Sequence, residues 1–553
     1  MHYSEDDNAD TPLLPATSPE AGLNTYSIRL KPWPKRHPRL IVALVAALSF
    51  SVALAVIARH GRKEIDASAL SHIPTPNSTR IGPDVDEWPD RPNLVDDPVV
   101  AARLSVDALF ARQSFTIKQA MARYSLKTGQ PPPPNYDKWF EFAREKSCLI
   151  DDYDQIHRDF KPFYELAQND PHFFQRRLDI AFDMMKDNPK DMSNIEIKDG
   201  EVLMPEVHAN AYWDTWPITI GQFASHLPDM TFIMNGHDQP RVAFNCREPG
   251  ARSKALDLVE QNPFSESPHP TSDWFYKLPG CDIPLSPEGF FASANEDSAF
   301  FTSTAKTEFT IDLYPMLSMA KIGPCFADIL FPIEYYYDRS WWSGKVAYPN
   351  NIEWKDKKSQ IYWRGSSTGG QVFGSNYRDF PRFKLVELAR QHSDLVNAAI
   401  TSFSDELCGS ECDREAIIEE YNITGQGAPR EDEYAYKYLL DVDGNAFSGR
   451  YLGLLRSGSL VFKATVFEEY FNDWLRPFER YIPVLPDLSD LLEQLEWAMS
   501  HDDEAQLIQE RGREISQRLM TDAQNDCYFF LVLLEWARLQ EISRNATLHE
   551  QDS

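Results

Sequence analysis

The chain has 553 residues, 42% hydrophobic, 25% charged and 12% aromatic, which excludes an intrinsically disordered chain and suffices for one large or two medium globular domains. Acidic side chains number 84 against 55 basic ones, a formal net charge of −29, and no Lys/Arg run is long enough to override it, so nucleic acid is excluded as a partner. Seven cysteines are too few for a disulfide scaffold, but all lie between Cys148 and Cys527 and suit a few bridges in an oxidising compartment.

Residues 1–39 read as a cytosolic tail. Leu40–Ala58 follows without a single charge and, as a helix, would reach roughly 28 Å, about the hydrocarbon thickness of a bilayer. The run is longer than the apolar core of a signal peptide and is preceded by a long polar stretch, so a transmembrane anchor is expected and the membrane becomes a partner through Leu40–Ala58. Arg29, Lys31, Lys35, Arg36 and Arg39 precede the run and Arg59, Arg62 and Lys63 follow it, which favours a cytosolic N-terminus. The glycosylation sequons at Asn77, Asn422 and Asn545 all fall after the run, in agreement with that orientation. The expectation is a single-pass type II protein of the Golgi or endoplasmic reticulum membrane, its acidic folded part in the lumen.

Residues 59–135 read as a stem, rich in proline, with one helical stretch near Val99–Tyr124 and the non-helical run Pro131–Pro134. No internal repeat follows. Short apolar runs at Thr231–Met234, Gln360–Trp363, Tyr438–Val442 and Ser459–Lys463 alternate with amphipathic stretches at Pro381–His392 and Arg450–Arg456, a pattern that predicts an α/β fold with parallel strands. Beyond Leu485 the sequence turns helical, with Ser489 as an N-cap and amphipathic runs over Glu504–Leu519 and Cys527–Ile542.

The most specific segment is Ile361–Gly370, IYWRGSSTGG, where an aromatic strand ends on Arg364 and Gly365 and runs into small residues including Ser366 and Ser367. Small residues let the backbone approach a ligand, and free N–H groups beside an arginine suit a diphosphate. Arg378 and Arg382 follow closely and raise the local density of cations in an acidic chain. Asp441-Val-Asp443 has the look of a divalent-ion pair, but its spacing fails as a calcium loop and it reads as a strand end and turn, so no metal is expected. Cys408 and Cys412 have a spacing that would serve a metal, but with no histidine or second cysteine pair near, each is expected to have a disulfide partner, and the connectivity stays open. Tyr212, Trp213 and Trp216 are either an aromatic platform for an acceptor sugar or part of the core.

The Trp-Arg-Gly followed by Ser/Thr and glycines resembles the signature loop of glycosyltransferase family 90, the family of capsule-associated xylosyltransferases and Rumi-like protein O-glucosyltransferases. Phe326–Pro332, Lys437–Lys463 and Pro477–Leu491 resemble further blocks of that family in the same order, and the likeness is dense from Leu227 to Leu491. It implies a GT-B fold: a Rossmann-like acceptor domain over 136–340 facing, across a cleft, a Rossmann-like donor-binding domain over 341–500, with C-terminal helices over 501–553. It also implies an inverting, metal-independent transfer of xylose or glucose from a UDP-sugar to a hydroxyl of a glycan or glycoprotein, with no cofactor. Asn235-Gly-His-Asp238-Gln-Pro240 resembles the family's Asp-x-Pro loop, which makes Asp238 the base that deprotonates the acceptor, with His237 a surface residue. Ser448-Gly-Arg450 resembles the family's Ser-x-Arg and implies that Ser448 and Arg450, with Arg364, Gly365, Ser366, Ser367 and Arg378, bind the donor. The long tail and stem resemble the fungal, membrane-anchored branch. Two alternatives stay open: an inactive member that binds glycans or scaffolds other transferases, and a metal-dependent hydrolase built on Asp441 and Asp443.

Overall fold

The computed structural model describes residues 97–551 apart from 186–191, 205–215, 243, 248, 257–311, 324–325, 341–343, 346–351, 371, 373, 406–407 and 409–411. The described N-terminal part opens with the helices Pro98–Ala111, Ile117–Thr128, Tyr136–Glu145, Asp154–Ala167 and Phe173–Met185. The strands β1 (Met192–Lys198), β2 (Glu201–Leu203), β3 (Met230–Asn235), β4 (Leu317–Ser318), β5 (Ala320–Lys321) and β6 (Ile329–Leu330) follow. The stretch Val99–Tyr124 is two helices: the first ends at Ala111 with Arg112 as its C-cap, and Thr116 caps the second. Its hydroxyl accepts from the Gln119 N–H at 3.3 Å while the Gln119 side chain accepts from the Thr116 N–H at 3.2 Å. These helices, assigned to the stem on sequence, pack against the C-terminal helices: Tyr124 Oη donates to buried Glu535 at 2.5 Å.

The second part holds β7 (Lys358–Ser366), β8 (Val396–Ser402), β9 (Tyr436–Val442), β10 (Leu460–Ala464), β11 (Glu468–Glu469) and β12 (Ile482–Val484), with helices Pro381–Gln391, Arg414–Tyr421 and Tyr451–Arg456 between strands. Its five-stranded sheet has the order β12-β10-β9-β7-β8 and is parallel throughout. Every residue of β9 and β10 is buried, as expected of parallel strands covered on both faces. The chain leaves β7 for β8 on one side and then crosses to β9 on the other, so the reversal of strand order falls between β7 and β9.

The expected GT-B fold behind a transmembrane helix is corrected on two counts. The N-terminal sheet, β2-β1-β3-β4-β6, is mixed: β1 pairs antiparallel with β2 and β3, and only the short strands β4 and β6 continue parallel from β3. Asp199 and Gly200, both at positive φ, turn β1 directly into β2, a hairpin that a Rossmann-like half does not contain. No helix among the described residues is long and apolar enough to cross a membrane, and the expected anchor at Leu40–Ala58 lies outside them.

The helix Asp522–Gln551 belongs by sequence to the C-terminal end but packs into the N-terminal part. Phe530 stacks on Phe223 at 4.6 Å, Trp536 meets Phe174 at 5.1 Å and donates through its indole to the Thr231 carbonyl at 2.9 Å. A disulfide, Cys148–Cys527, ties the two ends together across 379 residues. Replacing both cysteines by serine should lower stability by roughly 2–5 kcal/mol, since the bridge restricts a very long loop of the unfolded chain. Chemical denaturation of the double variant beside the parent measures this; an unchanged midpoint would contradict it.

Candidate active site

Parallel α/β sheets present ligand-binding loops at the carboxyl ends of their strands, at the point where strand order reverses. Here that point is flanked by the end of β7 and the loop that follows it, residues 365–370, and by the turn Asp443-Gly444-Asn445 after β9. A small depression lies there, lined by Gly369, Val442, Asp443, Gly444 and Ala464 among others.

Arg382, in the first turn of helix Pro381–Gln391 and 1% exposed, knits the two strand ends together. Its Nη1 donates to Thr368 Oγ1 at 2.6 Å and to the Ser366 carbonyl at 3.1 Å, and its Nε donates to the Asp443 carbonyl at 3.0 Å. A Cβ on Gly444 would meet Arg382 Nη2 and Thr368 Oγ1 at 3.0 Å each, so the turn is packed against this arginine. Ser366 Oγ lies 3.2 Å from Thr368 Oγ1, and Arg450 Nη1 donates to the Arg364 carbonyl at 2.6 Å. Ser448 is buried with its hydroxyl unpartnered among the described residues. Gly365, Ser366, Ser448 and Arg450 thus gather at one end of the sheet.

Other sequence-assigned residues point elsewhere. The Arg364 guanidinium turns toward β8 and donates to the Asn397 carbonyl at 2.9 Å and to Asn397 Oδ1 at 2.7 Å. Ser367 Oγ accepts from the Ser404 N–H at 2.8 Å. Arg378 is half exposed and pairs with Glu420 at 2.6 Å. Trp216 is fully buried against Phe331 and Phe529, while Tyr212 and Trp213 lie outside the described residues. Asn422 is exposed in a left-handed turn after helix Arg414–Tyr421, Asn545 is exposed on the last helix, and Asn77 lies outside the described residues. Cys408 and Cys412 are bonded to each other.

Asp238 stands in the loop after β3, partly exposed, on a frame of buried polar residues. Asn235 closes the loop: its Nδ2 donates to the Gln239 carbonyl at 2.7 Å, and its Oδ1 accepts from the His237 N–H and from Arg241 Nε, both at 3.0 Å. Buried Asp328 accepts the main-chain N–H groups of Arg241 at 2.8 Å and Val242 at 2.9 Å, and the Ser318 hydroxyl at 2.6 Å. Burial pushes the Asp328 carboxyl up, against these donors and Lys321, which draw it down. Sequence reading passed over this residue, although the block Phe326–Pro332 contains it. The loop also reaches the other sheet, since Gln239 Nε2 donates to the Asn445 carbonyl at 3.4 Å.

Beneath the turn after β9 lies a buried charge cluster. Lys463 on β10 is the cross-strand neighbour of Asp441 and donates to it at 2.8 Å, with Glu469 at 3.8 Å. Burial pushes Asp443 up to about 7 and Glu469 up to about 8, with Lys463 opposing both shifts. Burial works to lower the Lys463 ammonium, but Asp441, Glu469 and Asp443 outweigh it and hold the ammonium above its ordinary value. Tyr336 donates to Glu469, and Asp443 Oδ2 accepts the Val466 N–H at 2.9 Å, so both the Asp441 and Asp443 side chains are engaged within the fold.

A doubly wound parallel sheet with a small-residue loop at its switch point, faced by a carboxylate loop from a second sheet, is the architecture of a ligand-binding α/β enzyme. Residues 341–550 match the model of "Glycosyl transferase family 90". The chain is similar to protein O-glucosyltransferase 2 of Danio rerio, 30% identical over 193 residues, 34% of each chain. It is also similar to human protein O-glucosyltransferase 1, 32% identical over 199 residues, 35% of this chain and 45% of that protein. Human protein O-glucosyltransferase 3 is 29% identical over 188 residues, 34% of this chain and 33% of its own. The similarity therefore spans less than half of each relative.

Proposed function

We propose that the chain transfers a sugar, glucose or xylose, from a UDP-sugar to a hydroxyl of a glycoprotein or glycan, by a single inverting displacement without a metal. The observation that carries this reading is the meeting of the Asp238 loop with the turn after β9, beside the loop over 365–370. One side supplies a carboxylate, the other a cradle of small residues and arginines. Asp238 takes the proton of the acceptor hydroxyl as its oxygen attacks the anomeric carbon, and the bond to the donor phosphate breaks in the same step. Arg450 and main-chain N–H groups of the loop after β7 neutralise the departing diphosphate. The relatives' printed names favour glucose and a protein acceptor. The Cys148–Cys527 and Cys408–Cys412 bridges favour the lumen of the secretory pathway as the working compartment.

A panel of UDP-sugars offered to the purified protein with a glycoprotein acceptor tests the reading. Turnover of UDP-glucose or UDP-xylose that survives EDTA supports it; no turnover of any donor despite UDP binding would favour an inactive, glycan-binding role. Arg450→Ala should remove on the order of 2–4 kcal/mol of transition-state stabilisation, the scale of one lost charge-stabilising donor. Arg364→Ala should cost less, because that guanidinium is committed to Asn397. Steady-state kinetics on both variants compares them, and equal losses would place Arg364 at the diphosphate after all.

A further inference from the structure

The loop that carries Asp238 and the loop proposed to hold the donor are presented by different sheets, and one residue touches both. Asn445 Oδ1 accepts from the Gly369 N–H at 3.1 Å, while the Asn445 carbonyl accepts from Gln239 Nε2 at 3.4 Å. Gln239 directly follows Asp238 and is 4% exposed, with its main-chain carbonyl held by Asn235. Gly369 has φ of +124°, a region that L side chains rarely adopt, so the direction of its N–H depends on glycine and on the partner that receives it. The Asn445 turn is itself held by Arg382 through the neighbouring Asp443 carbonyl.

We infer that Asn445 is a positioning residue, which sets the distance and angle between Asp238 and the bound donor. The inference rests on the proposed reading of the site. In a one-step displacement the attacking oxygen, the anomeric carbon and the leaving oxygen lie in line, and a misplacement of about 1 Å costs on the order of 10²-fold in rate. Two loops on separate sheets would each relax on their own. A residue bonded to both makes the donor-side geometry the reference for the base. Its side chain acts as an acceptor toward Gly369 and its carbonyl as an acceptor toward Gln239, so neither bond requires contact with substrate.

The two bonds can be cut independently. Asn445→Leu removes the acceptor for Gly369, Asn445→Asp keeps it, and Gln239→Met removes the donor while keeping length and apolar volume. Each variant is compared in UDP affinity by calorimetry, in kcat and KM for sugar transfer, and in the ratio of transfer to donor hydrolysis. The expected result is a roughly 10- to 100-fold loss of kcat in Asn445→Leu and in Gln239→Met, with UDP affinity within about threefold of the parent and the transfer-to-hydrolysis ratio lowered. Asn445→Asp should recover most of kcat at saturating donor, and the double variant should be little worse than either single one. Full kcat in a folded Gln239→Met, or losses that multiply in the double variant, would overturn the inference. Should Asn445→Leu fail to fold, Gln239→Met alone decides the question. Asp238→Asn assayed alongside separates the failures: if it retains transfer, the base assignment falls, whereas if it is inactive while Gln239→Met is fully active, only the positioning role falls.

Discussion

Asp238→Asn should lower sugar transfer by roughly 10²–10⁴-fold, the usual contribution of a positioned base. Asparagine preserves the size of the side chain while removing its basicity. The loop itself should stay in place, because Asn235 and Asp328 hold its main chain and Arg241. UDP affinity should survive, since the donor is proposed to lie mainly against the loop after β7. Calorimetry with UDP and product analysis on the same purified variant make the pair of measurements. Retained transfer would remove Asp238 from the mechanism, and loss of both binding and transfer would point to damage of the fold.

Arg382→Met should cost on the order of 3–5 kcal/mol in stability and abolish measurable UDP binding. Methionine fills much of the volume but donates nothing, so the Ser366 and Asp443 carbonyls and the Thr368 hydroxyl lose a buried charged partner. Stranded buried acceptors cost about 1–3 kcal/mol each, and the loop over 365–370 loses its tie to the end of β9. Arg382→Lys should rescue only partly, because an ammonium cannot bridge the β7 loop and the β9 end with the geometry of a fork. Urea denaturation and UDP calorimetry measure the two effects; a loss below about 1 kcal/mol with intact binding would show that the loop holds without the arginine.

The contrast between Arg364 and Arg382 shows how far the site was legible in the sequence. Spacing revealed a concentration of cations around the loop after β7, and that concentration is present. Direction was hidden: successive residues of a strand face opposite sides, which sends the Arg364 side chain to Asn397, while Arg382, from the first turn of a helix, reaches back under the loop. The parallel sheet was readable because its strands are continuous apolar runs, at Tyr438–Val442 and Ser459–Lys463 above all. The N-terminal sheet was not, since β4 and β6 are two residues long each and carry no period. Ser489 was read as the N-cap of a helix, but the helix Leu491–Ser500 begins one residue later than that reading implies, after Asp490, and the Ser489 hydroxyl donates to Asp487. The network of Asn235, Ser318, Arg241 and Asp328 unites residues far apart in the chain, and no local pattern announces such a junction.

The placement of helix Asp522–Gln551 has a consequence for biosynthesis. Trp139, Phe174 and Phe223 bury their rings or indole N–H against residues 527–536, so synthesis must pass that segment before these early aromatic groups meet their partners. Until then the nascent N-terminal part carries uncovered apolar surface, the condition in which chains aggregate or are held by chaperones. The Cys148 thiol likewise waits for Cys527 throughout synthesis. A truncation that removes the final helix would therefore strip the N-terminal part of core partners, and the lesion would surface as failed folding of that part, far from the codon that caused it.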